Sequence, residues 1–328
     1  MHAHPDDETL ATGALLATWA AAGKAVTVVT CTRGERGEVI DTGLHPTGVG
    51  ALEGDGPRLA SYREGELAAA LRALGVDDHV FLDAVFLPSD PDDVAPVRYE
   101  DSGMAWVAPG IAGAVSHAGD DVPERAFVSV PLDEAARRLA AVLRERRPAV
   151  VATYDPDGGY GHPDHVRTHQ VTVRALELIA AGPDGGGGAD VPTLWCVVQP
   201  VAEVRAARRA LATVPTSPDR PDVAGLALPD PDERVLPPVA TWWSGDAAAL
   251  VAVPLRPVLD RVAPALRAHA TQVQAVAVTP PADGEALVGW YALSNDVLAP
   301  LLPAEHYAPF PGGAGLAGGT AAPGTVAP

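Results

Sequence analysis

The sequence predicts an α/β fold of three layers, a mostly parallel sheet held between helices, and three observations carry the prediction. Segments with apolar side chains at helical spacing alternate with short β-branched runs over the first 200 residues, as βαβ units do. The first two helical segments end on glycines, Gly23 and Gly75, which mark helix stops. Stretches rich in Gly, Pro and Asp interrupt the alternation and read as long loop insertions. The expected fold is therefore Rossmann-like, with a smaller α+β part at the C-terminal end, and its chemistry should gather beyond the carboxyl ends of the strands.

In chain order, 8–22 reads as a helix, with Leu10, Ala14, Leu15 and Trp19 at helical spacing. The run 25–31 is a buried strand, since β-branched side chains suit a pleated surface covered on both faces. Further helices are expected over 61–74, 132–146 and 164–181, and further strands over 79–82, 149–154 and 193–198. The stretches 34–57 and 88–131 read as loops, 183–190 with its four consecutive glycines as a flexible insertion, and 217–238 as an exposed excursion. A helix over 255–270 is expected despite Pro257 and Pro264. The resulting division is a catalytic part over 1–200, a part completing the pocket over 201–310, and a disordered Gly/Ala/Pro tail over 311–328.

Composition excludes several function classes. The 328 residues carry a formal charge of −19 and Lys24 as the sole lysine, so nucleic acid and anionic membranes, which reward clustered cations, are not the expected partners. No run approaches the roughly 18 apolar residues of a membrane span, and no basic-then-apolar leader opens the chain, so a cytoplasmic protein is expected. Cys31 and Cys196 are the only cysteines, too few for a disulfide framework, so any metal must rest on histidines and carboxylates.

Two motifs meet that requirement. His4-Pro5-Asp6-Asp7 packs three metal or proton-transfer groups at a helix mouth, although Pro and Asp there also suit an ordinary capping segment. The loop from Tyr154 to His165 holds two histidines, three aspartates and two tyrosines in twelve residues, far more than a strand-to-helix turn needs. Parallel strands align their carboxyl ends, so the two segments can converge on one ion. Two imidazoles and a carboxylate with a position left open suit a catalytic zinc, and iron(II) would accept the same donors. Either Asp6 or Asp7 is then left to take a proton from water.

These residues, together with Ser61 to Leu67, Asp101-Ser102-Gly103-Met104, His269-Ala270-Thr271-Gln272 and Ala292 to Asn295, resemble the zinc-dependent deacetylases of the LmbE-like (PIG-L) superfamily over nearly the whole chain. The resemblance implies one zinc on His4, Asp7 and His165, with Asp6 as general base. It implies His162 stabilising the tetrahedral intermediate and assisting the leaving amine, oriented by Asp164, and Tyr160 contacting the carbonyl oxygen. Arg63 and Asp101 would hold hydroxyls of a small pseudo-disaccharide, an N-acetylglucosaminyl-inositol of mycothiol biosynthesis, whose acetyl group is removed.

Three alternatives stay open beside that reading. The amidase branch of the family cleaves a cysteinyl amide from the same sugar, but it tends to carry a lysine shortly after Asp-Asp-Glu, where Ala11 stands here. Another N-acetylated sugar would suit the same groups, and an inactive metal-binding protein is the reading from a different class. The last arises because relatives carry a hydrophobic strand before the first motif, whereas only Met1, His2 and Ala3 precede it here. The first strand is expected to be missing or a stub, with the true start upstream. His2 could be read as a fourth ligand but is placed outside the set, and His169 falls at ligand spacing from His165 with packing favoured. Asp157 is expected to hold a ligating histidine, Glu8 either orients a ligand or starts the helix, and His269 has no derivable role. His45, His79, His117 and His306 are expected to be structural or exposed.

Overall fold

The computed structural model describes residues 1–43, 45–87, 98–108, 111–113, 124–182, 191–213, 223, 225–232 and 240–310. The first part of the chain forms α1 (Asp7–Ala21), β1 (Thr27–Thr30), α2 (Gly56–Leu74), β2 (Asp78–Phe81), β3 (Ala105–Ala108), β4 (Ile111–Gly113) and α3 (Leu132–Arg146). Then come β5 (Val150–Tyr154), α4 (Gly158–Gly161), α5 (Pro163–Ala181), β6 (Thr193–Pro200), α6 (Val201–Leu211), β7 (Thr241–Trp243) and β8 (Val251–Pro254). The chain closes with α7 (Leu259–Ala268), β9 (Gln274–Val278), β10 (Gly289–Ala292), β11 (Leu298–Leu301) and β12 (Ala304–Phe310). The expected tail over 311–328, the glycine insertion over 183–190, most of 217–238 and His117 lie outside the described residues.

Local chemistry sets the boundaries. Helix α2 opens before the expected Ser61, because the Asp55 side chain accepts the Arg58 N–H and Pro57 occupies the first turn. It closes on Gly75 at φ 83°, a conformation glycine takes without a Cβ penalty. Helix α7 is shorter than expected: Pro257 falls in a 3-10 turn, Arg256–Val258, and the helix proper begins at Leu259.

Strands β1 and β2 pair in parallel, as do β5 with β6 and β6 with β7. Strand β12 runs antiparallel between β6 and β8. The slot between β1 and β5 is taken by Met1, His2 and Ala3. His2 donates to the Val29 carbonyl at 2.9 Å, and its own carbonyl accepts from Cys31 at 3.0 Å. On the other side the Met1 nitrogen donates to Ala152 O at 2.7 Å, and the Thr153 hydroxyl to Met1 O at 2.8 Å. Residues 1–3 thus run beside β1, bridged in parallel to Thr30.

Alternation along the strands divides the interior into layers. Val28, Trp195 and Val197 pack with α1, α2 and α7, whereas Val29, Val151, Leu194 and Cys196 pack with α3 and α5. A third apolar cluster joins α6 to β10 and β11, in the antiparallel β9–β10–β11 sheet. Among the described residues no helix is long and apolar enough to cross a membrane.

Helix α1 is broken at Thr12 (φ −138°). The Thr12 hydroxyl bonds Glu8 O at 2.9 Å and His2 Nε2 at 3.0 Å. Beyond the break, the N–H groups of Ala14 and Leu15 donate to the Glu305 carboxylate from β12 at 2.6 and 3.0 Å, which satisfies donors the interruption would otherwise strand.

Candidate active site

The carboxyl ends of the 1–3 segment, β1 and β5 meet at one edge, and each feeds a loop into the same buried cluster. The His4-Pro5-Asp6-Asp7 segment leads from the first of these into α1. The Asp155–His165 loop leads from β5 through the single turn α4 into α5. Helix α5 starts on Pro163 and is capped by His162, whose Nδ1 accepts the Asp164 backbone N–H at 3.1 Å. Gly158 (φ +66°) permits the close turn, since a Cβ there would stand 2.7 Å from the Val166 nitrogen.

Potential metal-donor atoms of His4, His162 and His165 lie within 4.8 Å of one another, all three residues buried; a second such group is His4, Asp101 and Asp164. Asp7 touches two of the histidines: Oδ2 is 3.3 Å from His4 Nδ1, and Oδ1 is 3.3 Å from His165 Nε2. The hydrogen bonds assign the tautomers. His165 Nδ1 donates to the Gly158 carbonyl at 3.3 Å, so Nε2 carries a lone pair, and that atom is buried with no hydrogen-bond partner. His4 Nε2 donates to Asp164 Oδ2 at 3.2 Å, so Nδ1 is the nitrogen that faces Asp7. Burial opposes charge on His4, but the carboxylates of Asp101, Asp164 and Asp7 outweigh it and raise His4 well above its ordinary value, so with no cation bound Nδ1 also holds a hydrogen toward Asp7. Possible ligand atoms of His4, Asp7 and His165 therefore face one another in a buried space. A cation replacing the His4 proton would balance the Asp7 charge there, and the outer ring nitrogens are anchored as ligating imidazoles require. Burial opposes charge on Asp7, but His165 and His4 beside it outweigh that and hold its carboxyl well below the usual range.

Asp6 points elsewhere. Its backbone sits at φ 114°, where a residue with a Cβ stores on the order of 1–3 kcal/mol of strain. Arg63 and Glu8 hold it there. Arg63 Nη2 lies 3.3 Å from Asp6 Oδ2 and also bonds Pro5 O, while Nη1 bonds Gly34 O at 2.7 Å. Gly34 has to lack a side chain, because a Cβ would collide with the Arg63 guanidinium. Burial pushes the Asp6 carboxyl up to about 7 against the opposing charge of Arg63.

His162 is kept uncharged: burial first, then His4 and His165, hold it well below its ordinary value. With Nδ1 accepting from Asp164, its Nε2 carries the hydrogen. Tyr160 is half-buried, its ring 5.2 Å from that of His165 and 6.1 Å from that of His162, and burial raises its phenol.

Several expectations change on these contacts. The Asp164 carboxylate does not reach His162; it binds His4 Nε2 and the Ser102 N–H (2.9 Å) and hydroxyl, and only its backbone meets His162. Arg63 is 3% exposed and committed to Pro5, Asp6 and Gly34 rather than open to a ligand. Asp101 is 3.7 Å from His4 Nε2 and accepts the Gly103 N–H at 2.8 Å. His2 bonds Thr12, and His169 turns back to the Tyr154 carbonyl at 2.8 Å. Asp157 is exposed, and a backbone carbonyl takes the place expected for it. Residues given no settled role by the sequence also enter the site. Ser102 anchors Asp164, and Tyr154 stacks on His165 with rings 4.1 Å apart while its hydroxyl accepts the Ala3 N–H at 3.0 Å. Glu8 and His269 form a buried pair at 2.8 Å. In the sequence, His269 stands out only by its family-like stretch at 269–272, and Glu8 is left between orienting a ligand and starting the helix.

The family model described as GlcNAc-PI de-N-acetylase, PIG-L, matches residues 1–176, a span that includes both His-Pro-Asp segments. The chain belongs to the PIG-L family. Among curated PIG-L relatives, a 1D-myo-inositol 2-acetamido-2-deoxy-alpha-D-glucopyranoside deacetylase of Kineococcus radiotolerans is 44% identical over 315 residues, 94% of this chain and 75% of that protein. The protein of the same name from Streptomyces avermitilis is 41% identical over 317 residues, 94% of this chain and 89% of its own length. Among solved structures, the N,N'-diacetylchitobiose deacetylase from Pyrococcus horikoshii matches at 20% identity and a TM-score of 0.39, covering 60% of this chain and 57% of that one. PIG-L membership agrees with the α/β fold and the hydrolase expected from the motifs.

Proposed function

We propose that this chain deacetylates 1D-myo-inositol 2-acetamido-2-deoxy-α-D-glucopyranoside, releasing acetate and the free amine, a step of mycothiol biosynthesis. The observation that carries the reading is the set of buried ligand atoms on His4, Asp7 and His165 facing one another beside Asp6, in a chain that relatives of that name match over 94% of its length.

His4, Asp7 and His165 would hold the metal, zinc in this proposal, with iron(II) served by the same donors. His162 stands in the same cluster, yet its Nε2 hydrogen makes it a donor rather than a ligand. Bound zinc would polarise the acetamide carbonyl and make a water more acidic, with a pKa near about 7.

The protein's own groups then divide the proton work. Asp6 takes a proton as the water oxygen bonds to the carbonyl carbon, and with its carboxyl near 7 it can pass that proton to the sugar nitrogen as the C–N bond breaks. Neutral His162 donates Nε2–H to the carbonyl oxygen as negative charge grows there. The family resemblance implies His162 assisting the leaving amine; its buried, uncharged state favours Asp6 for that step. Tyr160, held protonated, would donate to the same oxygen. Asp164 positions His4, and Arg63 positions Asp6. Asp101, beside His4, remains the proposed contact for substrate hydroxyls.

The deciding experiment gives zinc-loaded protein two substrates, N-acetylglucosaminyl-inositol and a bimane S-conjugate of mycothiol, and measures free amine from each. Preferential deacetylation of the first is expected. Preferential cleavage of the conjugate would identify an amidase, and turnover of neither would favour the inactive reading.

A further inference from the structure

Glu8 and His269 lie 261 positions apart in sequence, and both are fully enclosed, each at 0% exposure. His269 Nε2 meets Glu8 Oε1 at 2.8 Å, and the Thr9 hydroxyl bonds the same oxygen. The other carboxylate oxygen, Oε2, accepts the Asp6 backbone N–H at 3.0 Å. That N–H belongs to the residue held at φ 114°. An ion pair sealed from water is not the simplest way to fill space, because each charge must recover its lost hydration. What the pair provides is direction: one oxygen is fixed by His269, so the plane of the carboxylate, and with it the other oxygen, is fixed as well.

His269 is itself immobilised from several sides. Its carbonyl accepts the N–H groups of Gln272 and Val273 at 2.9 and 2.8 Å. The Glu66 carboxylate grips the Thr271 N–H and hydroxyl at 2.8 and 2.6 Å, and Gln272 Nε2 donates to Glu38 O at 2.7 Å. The segment after α7 is therefore a rigid platform whose ring reaches the first motif.

We propose that Glu8 and His269 act as one positioning unit for Asp6: His269 orients the Glu8 carboxylate, which holds the Asp6 backbone in its left-handed conformation and so aims the Asp6 carboxylate. The inference rests on Asp6 being the proton acceptor of the proposed reaction.

The test compares kcat, KM and bound zinc per chain for His269→Ala, His269→Gln, Glu8→Ala and the Glu8→Ala/His269→Ala double variant, beside Asp6→Ala. His269→Ala is expected to lower kcat on the order of 10- to 100-fold, the usual cost of removing an outer hydrogen-bond partner, with KM and zinc content unchanged. His269→Gln, which keeps a donor toward Glu8, should recover most of the loss, and the double variant should be no slower than Glu8→Ala. With Asp6→Ala inactive, a kcat within twofold of wild type in both His269 variants would overturn the proposal, as would a loss of kcat that follows loss of zinc. If His269→Ala fails to fold, Glu8→Ala serves that purpose, because a kcat within twofold of wild type in that variant would equally overturn the proposal. Turnover surviving in Asp6→Ala would remove the general base itself, and the positioning unit with it.

Discussion

The two His-Pro-Asp segments do similar work on unequal supports. His162-Pro163-Asp164-His165 follows the five-residue strand β5, paired along its length with β6, and opens the uninterrupted 19-residue helix α5. His4-Pro5-Asp6-Asp7 opens a helix that breaks at Thr12, with Asp6 at positive φ. The contacts that hold the two segments differ accordingly. His165 is anchored by a backbone carbonyl, that of Gly158, and by the Tyr154 ring. His4, Pro5 and Asp6 depend on side chains from far along the chain: Asp164, Arg63 and the Glu8–His269 pair. Where the helix is broken and the backbone strained, side-chain bonds of long sequence separation take over the positioning. The first segment should therefore be the more fragile of the two under substitution.

The largest expected effect is at Asp6. Asp6→Ala should lower kcat by about 10²- to 10⁴-fold, the usual contribution of a positioned acid–base group, while zinc content by metal analysis stays near one per chain. Loss of zinc in this variant would mean that Asp6, not Asp7, is the carboxylate ligand. Next comes Asp164→Ala, which deprives His4 Nε2 of its acceptor and should weaken zinc binding on the order of 10- to 100-fold in competition with a chelator. His165 offers no matching test, because its acceptor is a backbone carbonyl that no substitution deletes. If Asp164→Ala bound zinc as tightly as wild type, the contrast between the two supports would fail.

The same contrast explains how much of the molecule was legible in the sequence. Contiguous features were readable. Helix α3 falls at 132–146 as its periodicity requires, and both motifs announce themselves within a dozen residues. The Ser102–Asp164, Arg63–Pro5 and Glu8–His269 contacts span 62, 58 and 261 positions, and no local pattern encodes which distant residue will satisfy a buried carboxylate. Strands β9 to β12 escaped for another reason. They are short and antiparallel, and Pro300 and Pro309 within β11 and β12 weaken the strand signal that β-branched runs supply. The break in α1 is hidden as well, because the group that satisfies Ala14 and Leu15 arrives from Glu305.

Two smaller effects sharpen the comparison further. Arg63→Gln removes the positive charge that pulls the Asp6 carboxyl down against burial. The Asp6 pKa should then rise, and since the base works deprotonated, the acidic limb of kcat/KM should move to higher pH by about one unit. A pH profile with an unmoved limb would show that Arg63 acts on Pro5 and Gly34 alone. Thr12→Ala should have the smallest effect and the most local cause. It deletes the hydroxyl that joins Glu8 O to His2 Nε2, leaving the buried His2 ring, already held well below its ordinary value by burial at about 3, without that partner. The expected loss is about 1 kcal/mol of unfolding free energy in urea, at unchanged kcat, because the bond braces the break in α1 rather than the groups that move protons. A fall in kcat without a fall in stability would show that the break itself aims Asp6, and the weak support would then extend from Asp6 into the helix that follows it.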